Sequence, residues 1–336
     1  MSTEPNAIVA EHLRRVYVRS GMFGRNKREV VAVDDISFSI PRGTIFGMLG
    51  PNGAGKTTTI KMLSTLLIPT SGSATVGGHD IVREEGMVRR LLGVVLGVVL
   101  GGDRGLYAKL SGWDNLIYFG TLYGLRKGTV ERRADEVLQM VNLRDRAEER
   151  VEGYSRGMKQ RMHLAKALLH DPPILFLDEP TIGLDPAAAH DLRQAIAGLV
   201  PDHTVLLTTH DMFEADTLCR EIAIVDKGLI VAQGTPGQLK ERVADTRRIV
   251  VSTPTALDGR RAEIEMQVNR LPGVRGLSGD MTDADMEWTI LCEKTATTLD
   301  STLHLLRQHG VPIGGVRVIE PTLEDAFLSI AGRSFE

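Results

Sequence analysis

Cysteine is scarce: Cys219 and Cys292 are the only two, without CxxC spacing or a neighbouring histidine. Neither a disulfide framework nor a zinc site is expected, and both thiols read as packing residues. A basic excess is also missing, since the formal net charge is -3. The one basic cluster, Arg19 to Arg28, reads as a solvated loop, so nucleic acid is not expected as a partner. Long apolar runs are missing too. LLGVVLGVVLGG, Leu91 to Gly102, holds 12 residues with four glycines, whereas a helix crossing a bilayer needs ~20 apolar residues. The start, MSTEPNAIVAEHLRR, lacks the basic, apolar and small-residue segments of a secretory signal, so a cytoplasmic chain is expected. Aromatic residues make up 4% of the sequence, and from Ile249 onward only Trp288, Phe327 and Phe335 occur. That is a poor supply for a module that grips sugars on aromatic platforms.

What remains is ordinary globular material, 336 residues with 42% hydrophobic and 25% charged, long enough for roughly two domains. From Ile8 to about Gly234 short β-branched runs alternate with longer helical patterns, the mark of a parallel sheet covered by helices. After GTPGQLKERVADTRR the texture changes to strand, helix, strand, strand, helix, strand between Ile249 and Ile319. That order is ferredoxin-like. A last helix starts at PTLEDAFL, with Thr322 as N-cap and Glu324 in its first turn. The expected domains are 7–240, with a helical part at about 85–170, and 247–336.

TIFGMLGPNGAGKTTTIKMLSTLL sets an apolar strand before Gly50 and an amphipathic helix after Gly55. Between them lies G-x-x-x-x-G-K-T, Gly50 to Thr57, in the context a phosphate-binding loop needs. Its glycines let successive N–H groups point inward at phosphate oxygens, and the helix N-terminus adds partial positive charge. Lys56 reaches the β- and γ-phosphates, and the Thr57 hydroxyl offers an oxygen to Mg²⁺. A plain glycine turn is the bland alternative, which the flanking strand and helix make a poor fit.

A second strand, ILFLDEP, Ile174 to Pro180, is apolar on both faces yet ends in adjacent carboxylates. In a phosphoryl-transfer site Asp178 would hold the magnesium and Glu179 would orient and deprotonate the attacking water. Taken alone, both could be loop caps. A third strand, TVLLTTH, brings His210 to the carboxyl edge of the sheet, where ligands bind in open α/β folds. There it is placed to contact a γ-phosphate or the attacking water. YSRGMKQRMHLAKALLHDP precedes the Asp178 strand, and its Ser155 can cap a helix carrying Met158, Met162, Ala165 and Leu169 on one face. Ser and Gly at a helix start make a second anion site.

With these motifs in this order, and with GLDP at Gly183 to Pro186, the sequence resembles the ATP-binding subunit of an ABC transporter. The resemblance covers roughly the first 235 residues. It implies an α/β fold, a P-loop NTPase domain of the ABC type with a mixed sheet and a helical part, followed by the small α+β domain. It also implies an ATPase with ATP and Mg²⁺ as ligands and a composite site. The stretch Gly50, Pro51, Asn52, Gly53, Ala54, Gly55, Lys56, Thr57, Thr58 of one subunit is closed over by the partner's signature residues. In this sequence those are Ser155, Arg156, Gly157 and Met158. Tyr17, in LRRVY, matches the aromatic that stacks on adenine, or is an ordinary strand residue. Asp185 matches the loop that links the two sites of a homodimer.

YSRGMKQR together with IEPTLEDAFLSIAGR is similar to the daunorubicin-resistance and ABC-2 type exporters of bacteria, whose membrane-spanning permease is a separate polypeptide. The resemblance thus implies a peripheral protein at the cytoplasmic face of the membrane, acting in drug or antibiotic efflux. A polysaccharide or lipid exporter ATPase is the alternative. A soluble ABC ATPase would show tandem P-loops, coiled-coil inserts or zinc-binding cysteines, and none is present. Two departures stand out in the signature: Arg156 replaces the usual Gly, and Met158 the usual Gln. Arg156 either faces solvent or approaches the partner's phosphates. A third lies in LGGDRGLYAKLSGWDNL, where the family carries a magnesium-sensing Gln and this sequence has none. Gly102 takes the position, and Asp103 beside it is either a replacement oxygen ligand or a surface charge. The second GVVL copy reads as a four-residue insertion, an even number that would keep the faces of a lengthened strand.

Overall fold

The structure, a computed structural model, describes residues 6–20, 27–95, 105–243, 247–254, 261–281, 285–292 and 295–331. The chain opens with β1 (Asn6–Ser20), β2 (Lys27–Pro41), β3 (Ile45–Leu49), α1 (Lys56–Leu63), β4 (Ser71–Val76), β5 (His79–Asp80), α2 (Glu85–Leu91) and β6 (Leu92–Val95). Three helices follow, α3 (Gly112–Leu122), α4 (Lys127–Met140) and α5 (Arg156–Leu168). Then come β7 (Ile174–Asp178), α6 (Pro186–Ala197), β8 (Thr204–Thr209), α7 (Met212–Leu218), β9 (Glu221–Asp226), β10 (Leu229–Gly234) and α8 (Pro236–Glu241). The last elements are β11 (Arg248–Pro254), α9 (Arg261–Asn269), β12 (Val274–Met281), β13 (Asp285–Cys292), α10 (Thr295–Gln308), β14 (Gly315–Ile319) and α11 (Leu323–Ala331). Two compact units result, Met1–Pro236 and Gly237–Glu336.

In the first unit a ten-stranded sheet runs β5-β4-β1-β2-β10-β9-β3-β8-β7-β6. β9, β3, β8, β7 and β6 form a parallel block, and β10 pairs parallel with β2. The expectation of a parallel sheet from Ile8 onward therefore holds for part of the unit. β1 and β2 instead pair antiparallel, as do β1 with β4 and β4 with β5. The short link between β1 and β2 allows a hairpin, whereas a parallel return needs a crossover of a dozen or more residues. β3, β7 and β8 are buried along their whole length, as central strands covered on both faces must be. The helical part comprises α3, α4 and α5. The stretch from residue 85 begins with α2 and β6, and β6 is a sheet-edge strand hydrogen-bonded to β7.

Helix starts in this unit differ in one respect that matters. Ser111, Ser155, Asp185 and Asp211 cap α3, α5, α6 and α7 through their side chains. α1, α2 and α4 start without a side-chain cap, and of these α1 alone begins at a left-handed glycine, Gly55 of the glycine-rich loop. Its first N–H groups are left for a ligand, the arrangement that binds anions.

The second unit is a four-stranded antiparallel sheet in the order β12-β13-β11-β14, the ferredoxin-like order for this βαββαβ succession. α9 and α10 share one face of it, with Ile264, Val268 and Leu306 packed on Ile249, Val251, Trp288 and Ile290. α11 begins as anticipated at Thr322, which exchanges hydrogen bonds with Asp325 in a capping box. Cys219 and Cys292 are free and buried. Among the described residues no helix is long and apolar enough to cross a membrane.

Candidate nucleotide-binding site

The loop between β3 and α1 is glycine-rich for identifiable reasons. A Cβ on Gly50 would lie 2.2 Å from the Val225 carbonyl oxygen. Gly55 adopts φ 110°, and a Cβ there would meet the Ala32 oxygen at 2.6 Å. The turn is further pinned by Gly228 N–H donating to the Ala54 carbonyl at 2.9 Å. Asn52, Gly53 and Thr57 are exposed at the mouth, Pro51 and Thr58 are half-buried, and Ala54 is buried.

Lys56 is only 4% exposed. Its ammonium folds back over its own loop, donating to the Gly50 carbonyl at 2.6 Å and the Pro51 carbonyl at 3.2 Å. It also sits 3.3 Å from Glu179 Oε1. Burial lowers the Lys56 pKa, and the Glu179 and Asp178 carboxylates pull it partly back.

Asp178, the buried last residue of β7, accepts hydrogen bonds from Thr57 Oγ1 at 2.9 Å and from Thr208 Oγ1. Glu179 follows in the left-handed region, φ 47°, with its N–H donating to the Thr208 carbonyl at 2.9 Å. Such a φ is uncommon for a residue with a Cβ, and backbone strain of this kind gathers at functional sites. It swings the carboxylate away from the strand axis, placing it between Lys56 and His210. Nδ1 of His210 lies 3.2 Å from Glu179 Oε2.

Lys56, Thr57, Asp178, Glu179 and His210 thus form one cluster at the carboxyl edge of the parallel strands. The Thr57 hydroxyl and the Asp178 carboxylate are hard oxygen donors of the kind Mg²⁺ takes. Among the described residues no group of three or more His, Cys, Asp or Glu could hold a metal alone. A cation here would need phosphate oxygens as well, as Mg²⁺ in nucleotide sites does.

Other residues singled out in the sequence lie apart from this cluster. Ser155 caps α5 by accepting from Met158 N–H at 3.2 Å. Gly157 marks a close approach of α5 to α6, since a Cβ there would meet Ala188 Cβ at 2.5 Å. Asp185 caps α6, accepting from Ala188 N–H at 2.9 Å. Arg156 is exposed, as one of its two expected placements has it, and its guanidinium also lies against Gly183. Tyr17 is half-buried on β1 with the Arg15 guanidinium 5.0 Å from its ring centroid. Gly102, Asp103 and the second GVVL copy lie outside the described residues.

Two residues of this region escaped the sequence reading. Thr208 hydrogen-bonds Asp178; the paired threonines before His210 were the available signal. Glu214, on α7, has no exposed surface. Thr209 and Thr181 hydroxyls face its carboxyl, but neither carboxyl oxygen gains an aligned hydrogen bond. Burial pushes its pKa up. A cleft of about 380 Å³ opens beside Glu179 and His210, walled by Ile182, Leu184, Arg193 and Phe213.

A glycine cradle running into an uncapped helix, beside a buried strand ending in Asp178 and Glu179, defines a P-loop nucleotide-binding domain. The ABC transporter family matches the chain over residues 33–182. The chain is 41% identical over 251 residues to the doxorubicin resistance ATP-binding protein DrrA of Mycobacterium tuberculosis, covering 73% of this chain and 71% of that protein. It is 34% identical over 331 residues to the linearmycin resistance ATP-binding protein LnrL of Bacillus subtilis, covering 97% and 98%. Among solved structures, cbiO1 from Clostridium perfringens, described as part of the ABC transporter complex cbiONQ, superposes with a TM-score of 0.62. It is 25% identical and covers 80% of this chain and 97% of its own. The chain belongs to the ABC transporter ATP-binding proteins, and it is an ATPase of that class.

Proposed function

We propose that this chain is the motor of a bacterial ABC-2 type exporter that expels a drug or antibiotic. It acts as a head-to-tail homodimer and engages a separate membrane-spanning permease at the cytoplasmic face. One observation carries the catalytic part of this reading. Lys56, Glu179 and His210 stand in a chain of contacts of 3.3 and 3.2 Å at the mouth of the phosphate cradle. The drug-export part is supported by the names of the relatives, which are resistance proteins that match most of the chain.

The chemistry follows from the contacts. Thr57 and Asp178 would hold Mg²⁺, which when bound neutralises phosphate charge. Lys56 contacts the Gly50 and Pro51 carbonyls and Glu179. An incoming triphosphate competes for the ammonium, which releases the Glu179 carboxylate. Glu179 then accepts the proton of the attacking water as general base, with His210 fixing its second oxygen. Ser155 and Gly157 point to a second copy, because no hydrogen bond or ion pair joins them to the P-loop cluster among the described residues. In the second unit Trp288 and Phe327 are buried, so neither offers a sugar platform. That favours an accessory or dimerisation role for this unit over carbohydrate binding.

Replacing Glu179 by Gln keeps the shape and removes the base. ATP binding should stay within about twofold of the parent, while turnover falls by about 10²-fold or more. Near-parental turnover removes Glu179 as the base.

A further inference from the structure

Lys166 lies three turns into α5, roughly 16 Å along the helix from Ser155 at 1.5 Å per residue. No carboxylate pairs with it among the described residues. Its ammonium donates instead to the Gly105 carbonyl at 2.8 Å and stands 4.7 Å from the Phe119 ring centroid. A cation over an aromatic face is attracted by the ring quadrupole, more strongly as water is removed, and burial here lowers the Lys166 pKa. Gly105 adopts φ 103°, and a Cβ on it would come within 2.9 Å of the Lys166 ammonium.

Lys166 holds Gly105, two residues before a tightly fixed tyrosine. Asn115, fully buried, clamps Tyr107 from both sides: its Oδ1 accepts from Tyr107 N–H at 2.8 Å and its Nδ2 donates to the Tyr107 carbonyl at 3.0 Å. The Tyr107 and Tyr118 hydroxyls are hydrogen-bonded at 3.1 Å, and both rings pack on Phe119 while remaining exposed. One continuous set of contacts therefore runs from two exposed tyrosines through Phe119 and Gly105 to the Lys166 ammonium, and along α5 to Ser155.

We infer that Lys166 is a positioning residue. It locks the signature turn, Ser155 to Met158, in register with Gly105, Tyr107 and Phe119, so that the contacts at the far end of α5 fix the aim of the signature. This rests on the exporter-motor reading, in which the signature meets the nucleotide of a second copy. Lys166 touches no nucleotide and acts only through α5.

The test uses the purified full chain with MgATP. Lys166→Met should lower kcat by about fivefold or more with KM for ATP within twofold of the parent. Lys166→Arg keeps a cation and a donor, and should stay within twofold in both. Phe119→Leu should lower kcat in the same way, and combining it with Lys166→Met should add little, because both break one coupled contact. A thermal midpoint measured for each variant keeps misfolding from passing as loss of function; if Lys166→Met is unstable, Phe119→Leu and Lys166→Arg carry the comparison. Parental kcat in both Lys166→Met and Phe119→Leu overturns the inference, as does equal loss in the Met and Arg variants or fully additive losses. Failure of the underlying motor reading shows separately, as near-parental turnover in Glu179→Gln, which leaves Lys166 untouched.

Discussion

Both units are α/β layers built on one sheet, yet they bury different chemistry. In the second unit the buried polar residues among those described are threonines, Thr253, Thr298 and Thr302. In the first, Lys56, Asp178 and Glu214 are buried as well. Burying a charge is costly unless it is paired or hydrogen-bonded, and Lys56 and Asp178 are, mostly by groups from distant parts of the chain. A sheet packed only for stability needs none of this. The contrast places the buried charges at the strand ends and helices of the first unit, with none in the second among the described residues.

The contrast can be broken at several points. Lys56→Ala should have the largest effect, weakening ATP binding by about a hundredfold, the scale of losing a charge-assisted contact of ~2.7 kcal/mol. An unchanged affinity by calorimetry would detach Lys56 from the nucleotide. Ending the chain at Val243 should have little effect on the same measurement. ATP affinity is expected to stay within about twofold, with self-association weakened in sedimentation. Loss of ATP binding in a still-folded truncation would contradict the division of labour.

The smallest effect concerns Glu214. Its folded pKa is raised by burial above the ordinary 4.5, so its contribution to stability is complete below that value and is lost as pH rises through the folded pKa. Glu214→Gln cannot ionise. Its thermal midpoint relative to the parent should therefore climb as pH goes from 5 to 8, and a pH-independent difference would show that Glu214 does not titrate across this range.

Much of this was readable in the residues because local rules carried it. The Gly50 to Thr57 spacing, the double carboxylate after an apolar run and the Ser155 cap each state a backbone geometry within a few positions. The βαββαβ succession was legible from periodicity for the same reason, down to the cap at Thr322. What escaped was set by tertiary partners. The antiparallel arm of β1, β2, β4 and β5 agrees with the mixed sheet that the family resemblance implies, but it depends on a hairpin that sequence alternation alone does not distinguish from a crossover. Arg156 lies on Gly183, 27 positions away, and no local pattern announces that contact. Glu214 is an acid in the first turn of α7, and nothing nearby in sequence shows that α7 faces inward there.

The central claim is that each nucleotide site is completed by a second copy. Two inactive chains, Lys56→Ala and Ser155→Arg, test it directly by turnover after mixing. If the sites are shared, a mixed dimer pairs the intact P-loop of one variant with the intact signature of the other, and ATP hydrolysis should reappear well above either variant alone. If each chain hydrolyses ATP by itself, every chain in the mixture is still broken, and turnover that stays at the level of the separate variants would contradict the account.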